Sequence, residues 1–374
     1  MKIAIVCPRF LPFRGGVETH VDCLSRELVR RGHSVTVFAQ DTSGTRRWYT
    51  SDGVEVCAFR IRSGKETYPF APGLWSGLLR AGSQFEIVHG HSYHGLAALV
   101  AAFSHEQPFV FTPHYHGAGH TYFARKLHSV YRPVGRALFA RASQVICVSA
   151  AERLLVVQDH PTVAAKALVV PNGLTQTSRS PEAWANRKKL VAYVGRLEPY
   201  KRLDLVITAM LGLPADVQMV VVGSGSGETR LVAQVKRLGL SDRVTLAGSL
   251  NDDAVGKILT SARVVVTASQ QEAFGMVILE ARQAGARVVA SAIPAHCEVA
   301  QLDAGNGVYL WALDTAIPGL VRGLRHALDG DDPGVLRTAP RWPDIAAATE
   351  EVYRSALGMR TTRPLVVATR QRRT

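Results

Sequence analysis

Short apolar runs alternate with amphipathic stretches from the first residues of the chain. Lys2-Ile3-Ala4-Ile5-Val6 reads as a strand buried on both faces, because parallel strands covered by helices are apolar without alternation. A loop through Gly15-Gly16 follows. A helix is then predicted over 17–30, where Val21, Leu24 and Leu28 recur on one face. Gly32 stands where a helix-ending glycine belongs, ahead of a strand from Ser34 to Ala39. Apolar runs at 87–88, 109–111, 145–148 and 168–170 extend the alternation, which is the pattern of an α/β domain.

The pattern breaks between Pro171-Asn172-Gly173 and Lys188, then restarts with Leu190-Val191-Ala192-Tyr193-Val194 and a helix through Leu203, Val206, Ile207 and Met210. Strands are predicted over 217–222, 244–246, 264–266 and 287–290, and helices over 317–328 and 342–357. The reading is therefore two Rossmann-like α/β domains. The first covers 1–172, a linker 173–188 and the second 189–357, with the last helix able to pack back on the first. A mobile basic tail is expected over 358–374. Trp342 and Tyr353 read as packing anchors.

A chain of 374 residues that is 47% apolar and 20% charged has material for two sizeable cores, which excludes a disordered chain or a membrane bundle. The first apolar run is too short to span a bilayer, and with Arg9 behind it does not read as a secretory signal. Five scattered cysteines suggest reduced residues in a cytoplasmic protein. A formal charge of +14 favours anionic ligands or surfaces. No zinc-finger spacing or basic aromatic sheet accompanies it, so nucleic acid is not expected as a partner. Association with a membrane surface stays open, and so does the oligomeric state.

Several loops carry candidate chemistry. Gly15-Gly16 precede a helix, whose first N–H groups can receive anionic oxygens, although an ordinary tight turn explains two glycines equally well. Gly223-Ser224-Gly225-Ser226-Gly227 follows a strand and reads either as a phosphate-facing loop or as a structural turn; a dinucleotide fingerprint is disfavoured. Gly195-Arg196 ends a strand and Lys201 follows near a helix start. Facing a diphosphate, they would stabilise charge on a leaving group. The alternative pairs Arg196 with Glu198 and leaves Lys201 solvated. In Glu272-Ala273-Phe274-Gly275, Glu272 lies in a loop after a strand, and Glu280 falls two turns further on. Such carboxylates can accept hydrogen bonds from sugar hydroxyls, while helix-start amides bind anions.

Taken in order, Gly15-Gly16, Thr112-Pro113-His114-Tyr115-His116-Gly117, Val170-Pro171-Asn172-Gly173, Gly195-Arg196 with Lys201, Gly223 with Gly225, and Glu272-Ala273-Phe274-Gly275 with Glu280 resemble a GT4-family retaining glycosyltransferase. The resemblance implies the GT-B architecture, two Rossmann-like domains facing a central cleft, with an acceptor-binding first domain and a donor-binding second one. It implies a nucleoside-diphosphate sugar, UDP- or GDP-linked, as donor substrate, with no obligatory cofactor and no metal. Gly15 and Gly16 would touch the donor phosphates, Arg196 and Lys201 would neutralise the diphosphate, and Glu272 would hold sugar hydroxyls. Glu280 would bond the ribose and His114 would lie beside the transferred sugar. Two departures stand out. Thr175 occupies a position where the family commonly has aspartate, and the Gly307-to-Leu310 segment lacks the usual following turn.

The histidines at 89, 91, 94, 114, 116, 120 and 128 do not by number or spacing define a metal site. His89, His91 and His116 are expected in the acceptor region; His116 also fits a loop hydrogen bond. Trp48, Tyr49, Tyr68, Phe70 and Trp75 fit either an apolar acceptor surface or the support of the first domain. The expected reaction is transfer of a hexose or amino-hexose to an acceptor hydroxyl. A nucleotide-sugar 2-epimerase or hydrolase, and a noncatalytic binding protein, are the alternatives.

Overall fold

The computed structural model describes residues 1–13, 15–62, 70–93, 95–117, 133–175, 182–303, 307–336 and 339–359. The expectations for Tyr68, His94, His120 and His128, for the 176–181 part of the linker and for the tail beyond 359 lie outside the described residues. The chain forms two compact units, one of Met1–Thr175 joined by the segment from Pro340, the other of Gln176–Ala339.

In the first unit an eight-stranded sheet has the order β3-β4-β2-β1-β5-β6-β7-β8. The strands are β1 (Lys2–Val6), β2 (Ser34–Asp41), β3 (Arg46–Tyr49), β4 (Glu55–Arg60), β5 (Ile87–His91), β6 (Phe109–Thr112), β7 (Gln144–Cys147) and β8 (Ala167–Val169). All pairs are parallel except β3 with β4. β3 and β4 were not foreseen. Arg46-Arg47-Trp48-Tyr49 is a short polar edge strand, whose charged residues match the way exposed edges are kept from further pairing.

Helix α1 (Gly16–Arg30) buries Val21, Leu24 and Leu28 and stops where Gly32 turns to φ 87°. The Gly32 N–H donates to the Val29 carbonyl at 2.8 Å and the His33 N–H to the Leu28 carbonyl at 3.1 Å, a Schellman stop. Helices α2 (Pro72–Ala81), α3 (Leu96–Phe103), α4 (133–141) and α5 (Ala150–Asp159) cover the sheet. Their apolar residues and those of the strands form one core around Val6, Val88, Phe109, Phe111 and Phe139.

The second unit is a six-stranded, all-parallel sheet of order β11-β10-β9-β12-β13-β14. It comprises β9 (Lys188–Val194), β10 (Gln218–Val222), β11 (Val244–Gly248), β12 (Ala262–Thr267), β13 (Arg287–Ser291) and β14 (Val308–Trp311). Helices α6 (Leu203–Ala209), α7 (Glu228–Arg237), α8 (Asp252–Ser261), α9 (Met276–Gln283), α10 (Pro294–Gln301) and α11 (Ala316–Asp329) complete it. The buried guanidinium of Arg282 pairs with Asp303 at 2.7 Å and donates to the Ala286, Pro333 and Gly334 carbonyls, so each nitrogen of the buried charge is hydrogen-bonded.

The last helix, α12 (Trp342–Ala356), belongs to the first unit and packs on α1. Trp342 is 4% and Tyr353 0% exposed. No described helix is long and apolar enough to cross a membrane. None of the five cysteines is in a disulfide.

Candidate functional site

Each sheet reverses its strand order once. In the second unit β10 and β12 flank β9, so the loops leaving β9 and β12 diverge and open the crevice where open α/β sheets take ligands. Those two loops carry Arg196, Lys201 and Glu272. The Gln270 N–H donates to the Tyr200 carbonyl at 2.9 Å and ties one loop to the other. Gly195 at φ 155° lets the chain turn off β9, and the Tyr193 hydroxyl donates to the Arg196 carbonyl at 2.8 Å.

The Lys201 ammonium lies against the Glu272 carboxylate, with both side chains largely buried, and the Ser269 hydroxyl donates to the same Glu272 Oε1 at 2.8 Å. Burial alone would raise the Glu272 carboxyl, but Lys201, His296 and the Ser269 hydrogen bond together bring it down to about 2. Burial would likewise lower Lys201, yet Glu272 leaves it raised. Lys201 is therefore not the solvated cation that sequence spacing alone allowed. Arg196 is exposed, and its Nη2 donates to the Tyr200 hydroxyl at 2.7 Å. Glu198 instead receives the Ser226 hydroxyl at 2.7 Å.

Gly275 caps α9 at φ 106°, a left-handed conformation that favours glycine, while Phe274 is buried in the domain. Glu280, one turn into α9, has its carboxyl pushed up to about 7 by burial and then by Asp252. The glycines at 223 and 225 have a local explanation. A Cβ on Gly223 would lie 2.0 Å from the Gly195 carbonyl oxygen, and one on Gly225 2.7 Å from the Leu197 nitrogen. The Leu197 N–H donates to the Ser224 carbonyl at 2.9 Å, and the Gly227 N–H to the Leu197 carbonyl at 2.8 Å. The glycine-rich loop thus braces the backbone that carries Arg196.

In the first unit β1 and β5 meet at the reversal, and a cluster of imidazoles gathers beside it. His20 of α1 has its Nδ1 2.7 Å from Asn172 Oδ1, so Nδ1 donates and Nε2 is the free lone pair. His91 Nδ1 lies 3.2 Å from His114 Nε2. His89 bridges the Tyr353 hydroxyl at 2.7 Å and the Thr112 hydroxyl at 2.8 Å. Burial takes His20 down to about 4 and holds His89, His91 and His114 well below the ordinary imidazole value, so the cluster is uncharged at neutral pH.

His114 adopts φ 47°, a strained conformation for a residue with a side chain, which turns it toward His91 and His20. His20, His91 and His114 each offer a nitrogen within 4.8 Å of the others, and could hold a cation. His116 is half-buried beside Gly117. Thr175 lies 3.7 Å from the Cys23 thiol.

Gly15, in extended conformation, caps α1, and the Thr19 N–H makes the first helical bond to its carbonyl. A Cβ there would lie 2.5 Å from Glu18 Oε2, so this carboxylate lies over the helix start, with Arg9 at 3.4 Å. Sequence reasoning missed Glu18, and with it His20, Ser269 and His296. His20 carried a signal, as a polar residue one turn before Leu24 on the buried face of α1. The others had none, since only the fold brings them to the loops.

Two family models cover adjoining parts of the chain. One, described as Glycosyltransferase Family 4, matches residues 14–176, and the other, Glycosyl transferases group 1, matches 175–312. Among curated relatives, the phosphatidylinositol N-acetylglucosaminyltransferase GPI3 subunit of Saccharomyces cerevisiae is 27% identical, over 94% of this chain and 82% of its own. The D-inositol 3-phosphate glycosyltransferase of Xylanimonas cellulosilytica is 28% identical, over 93% of this chain and 94% of its own. In fold, the chain is similar to sucrose-phosphate synthase of Thermosynechococcus elongatus, at TM-score 0.75, 20% identity and coverage of 96% and 99%. It is also similar to Anabaena HepE in complex with UDP and glucose, at TM-score 0.70, 21% identity and 95% coverage of both chains. The chain is a glycosyltransferase of the GT4 family, an enzyme with the GT-B fold.

Proposed function

We propose that the chain transfers a hexose or amino-hexose from a nucleoside-diphosphate sugar to an acceptor hydroxyl with retention of anomeric configuration. The observation that carries the donor half is the Lys201–Glu272 pair at the β9/β12 reversal, beside the Gly275-capped start of α9. An ammonium and helix-start amides suit a diphosphate, and a carboxylate held ionised suits sugar hydroxyls. Arg196 adds a second cation to the leaving group, and Glu280 takes the ribose. Gly15 and Gly16 are assigned to the donor phosphates on the resemblance alone, which requires Glu18 to leave the start of α1.

In the reaction, the donor C1–phosphate bond breaks and the departing phosphate accepts the acceptor hydroxyl's proton on the same face. Lys201 and Arg196 stabilise the developing charge. His114 positions the sugar, and the neutral His89, His91 and His116 line the acceptor region. An uncharged imidazole can both donate and accept hydrogen bonds, which suits a polyol. The relatives named for phosphatidylinositol and inositol phosphate make an inositol-bearing acceptor the first to test, with UDP-N-acetylglucosamine as first donor. The chain's positive charge favours such anionic acceptors and an anionic membrane face.

A screen of nucleotide-sugars against acceptors, reading product mass and anomeric configuration, tests this function. A retained α-linked product is expected. Uniform inversion would overturn the stereochemistry, and turnover of donor without acceptor would favour an epimerase or hydrolase. Binding without any product would leave only a sugar-nucleotide binding protein. Glu272→Ala should impair sugar placement, and unchanged donor use would remove that assignment.

A further inference from the structure

His296 has no part in the roles above. It lies in the first turn of α10, 0% exposed, and α10 packs on α9. The Ser291 hydroxyl donates to the Ser269 carbonyl at 2.5 Å, so toward the ring that oxygen can only accept. His296 Nδ1 is 2.9 Å from the Ser291 carbonyl oxygen and 3.1 Å from this hydroxyl. Both are acceptors, so Nδ1 carries the hydrogen and Nε2 is a bare lone pair. Nε2 is buried without a hydrogen-bond partner among the described residues. It faces the donor loop, since a Cβ on Gly275 would lie 3.4 Å from it.

The charged groups acting on the ring are Glu272 and Lys201; α9 adds Glu280, itself acted on by Asp252. One carboxylate thus has two candidate cations: an ammonium, and an imidazole that can gain a proton only at Nε2. On the donor reading above, on which this inference rests, the ammonium is also needed by the diphosphate. A buried carboxylate stripped of its cation is strongly destabilised.

We propose that His296 is a positioning residue that takes a proton from solvent at Nε2 when a donor diphosphate draws Lys201 off Glu272, and that its new N–H then hydrogen-bonds Glu272. Lys201 moves from carboxylate to diphosphate, His296 becomes an imidazolium, and Glu272 stays ionised for the sugar hydroxyls. Apart from the ligand, the only species gained is one proton. Donor binding is thereby coupled to proton uptake.

Calorimetric titration with UDP-glucose, UDP-N-acetylglucosamine and GDP-mannose, in buffers of different ionisation enthalpy, measures that uptake. Wild type should take up about one proton per donor near neutral pH, and its Kd should rise about tenfold per pH unit across that range, levelling off once His296 no longer protonates in the complex. His296→Gln keeps much of the packing and should show little uptake and a flat Kd profile. Glu280→Gln should retain the uptake. Ring-nitrogen NMR of wild type, free and donor-saturated, reports the His296 proton without any substitution. Wild-type uptake in His296→Gln, loss of uptake in Glu280→Gln, or a neutral His296 ring in the saturated complex would each overturn the coupling. Failure of all three probes to bind would instead sink the donor reading, and this coupling with it.

Discussion

Replacing Lys201 by Met separates the structural from the chemical work of the donor loop. The Glu272 carboxyl is brought from 4.5 to about 2, which corresponds to about 3 kcal/mol of stabilisation at neutral pH. Removing one partner of a buried ion pair costs about 3–5 kcal/mol, so the two routes agree. For a domain of this size each kcal/mol moves Tm by about 2–4 °C, and Lys201→Met should lower it by roughly 6–12 °C. Adding Glu272→Gln removes the stranded charge and should recover most of that loss, while both variants stay inactive in transfer.

The sign with pH is fixed as well. A folded-state value below the unfolded one gives stability that is present above pH 4.5 and lost as pH falls toward about 2. The double variant should lack that loss. Urea denaturation at pH 7 and pH 3, with activity measured alongside, checks the set. A single variant within about 0.5 kcal/mol of wild type, or a double variant no more stable than the single, would refute the reasoning.

Arg196→Ala should slow transfer by about 2–4 kcal/mol of barrier with little change in Tm, because the side chain is exposed; wild-type rates in the folded variant would remove Arg196 from its role. Glu280 has a folded value raised from 4.5 to about 7, so its stability contribution is present below pH 4.5 and lost as pH rises through 7. Glu280→Gln should therefore be more stable than wild type at pH 8, by at most about 3 kcal/mol, equal to it at pH 4, and weaker in donor binding. Parallel Tm profiles across that range would refute the assignment. His20, lowered from 6.5 to about 4, favours the folded state while neutral, and that contribution fades as pH falls from 6.5 toward 4. In denaturation between pH 7 and pH 4.5, wild type should lose about 2 kcal/mol more stability than His20→Gln; identical losses would count against the neutral cluster.

Most of the sheet architecture was legible because a doubly covered parallel strand must be apolar throughout, as in β1, β7, β9 and β12. Amphipathic stripes gave α1 and α11. β3 and β4 were not legible, since edge pairing leaves no apolar signature in Arg46-Arg47-Trp48-Tyr49. In the site, strand-end position was enough to mark Arg196, Lys201 and Glu272. Their mutual pairing was not, because residues 201 and 272 meet only after β12 inserts beside β9. The Gly223-to-Gly227 loop was ambiguous in sequence, fitting a phosphate-facing loop or a structural turn, and close packing against Gly195 and Leu197 gives a reason for glycine there on either reading. His296 could not be found at all, since its meaning lies in which of its two nitrogens Ser291 satisfies.

The placement of α12 has a consequence for how the polypeptide acquires its structure. Tyr353 supplies the hydroxyl that satisfies His89, Glu350 receives Arg31 at 2.7 Å, and Trp342 stands 5.4 Å from the His20 ring. The ribosome delivers these side chains only after the whole of Gln176–Ala339. The amino-terminal sheet must therefore wait with an uncovered flank while the second unit is made. A fragment ending near Thr175 should be sticky and poorly soluble, whereas the 182–336 region carries its own core and is the better candidate for independent expression.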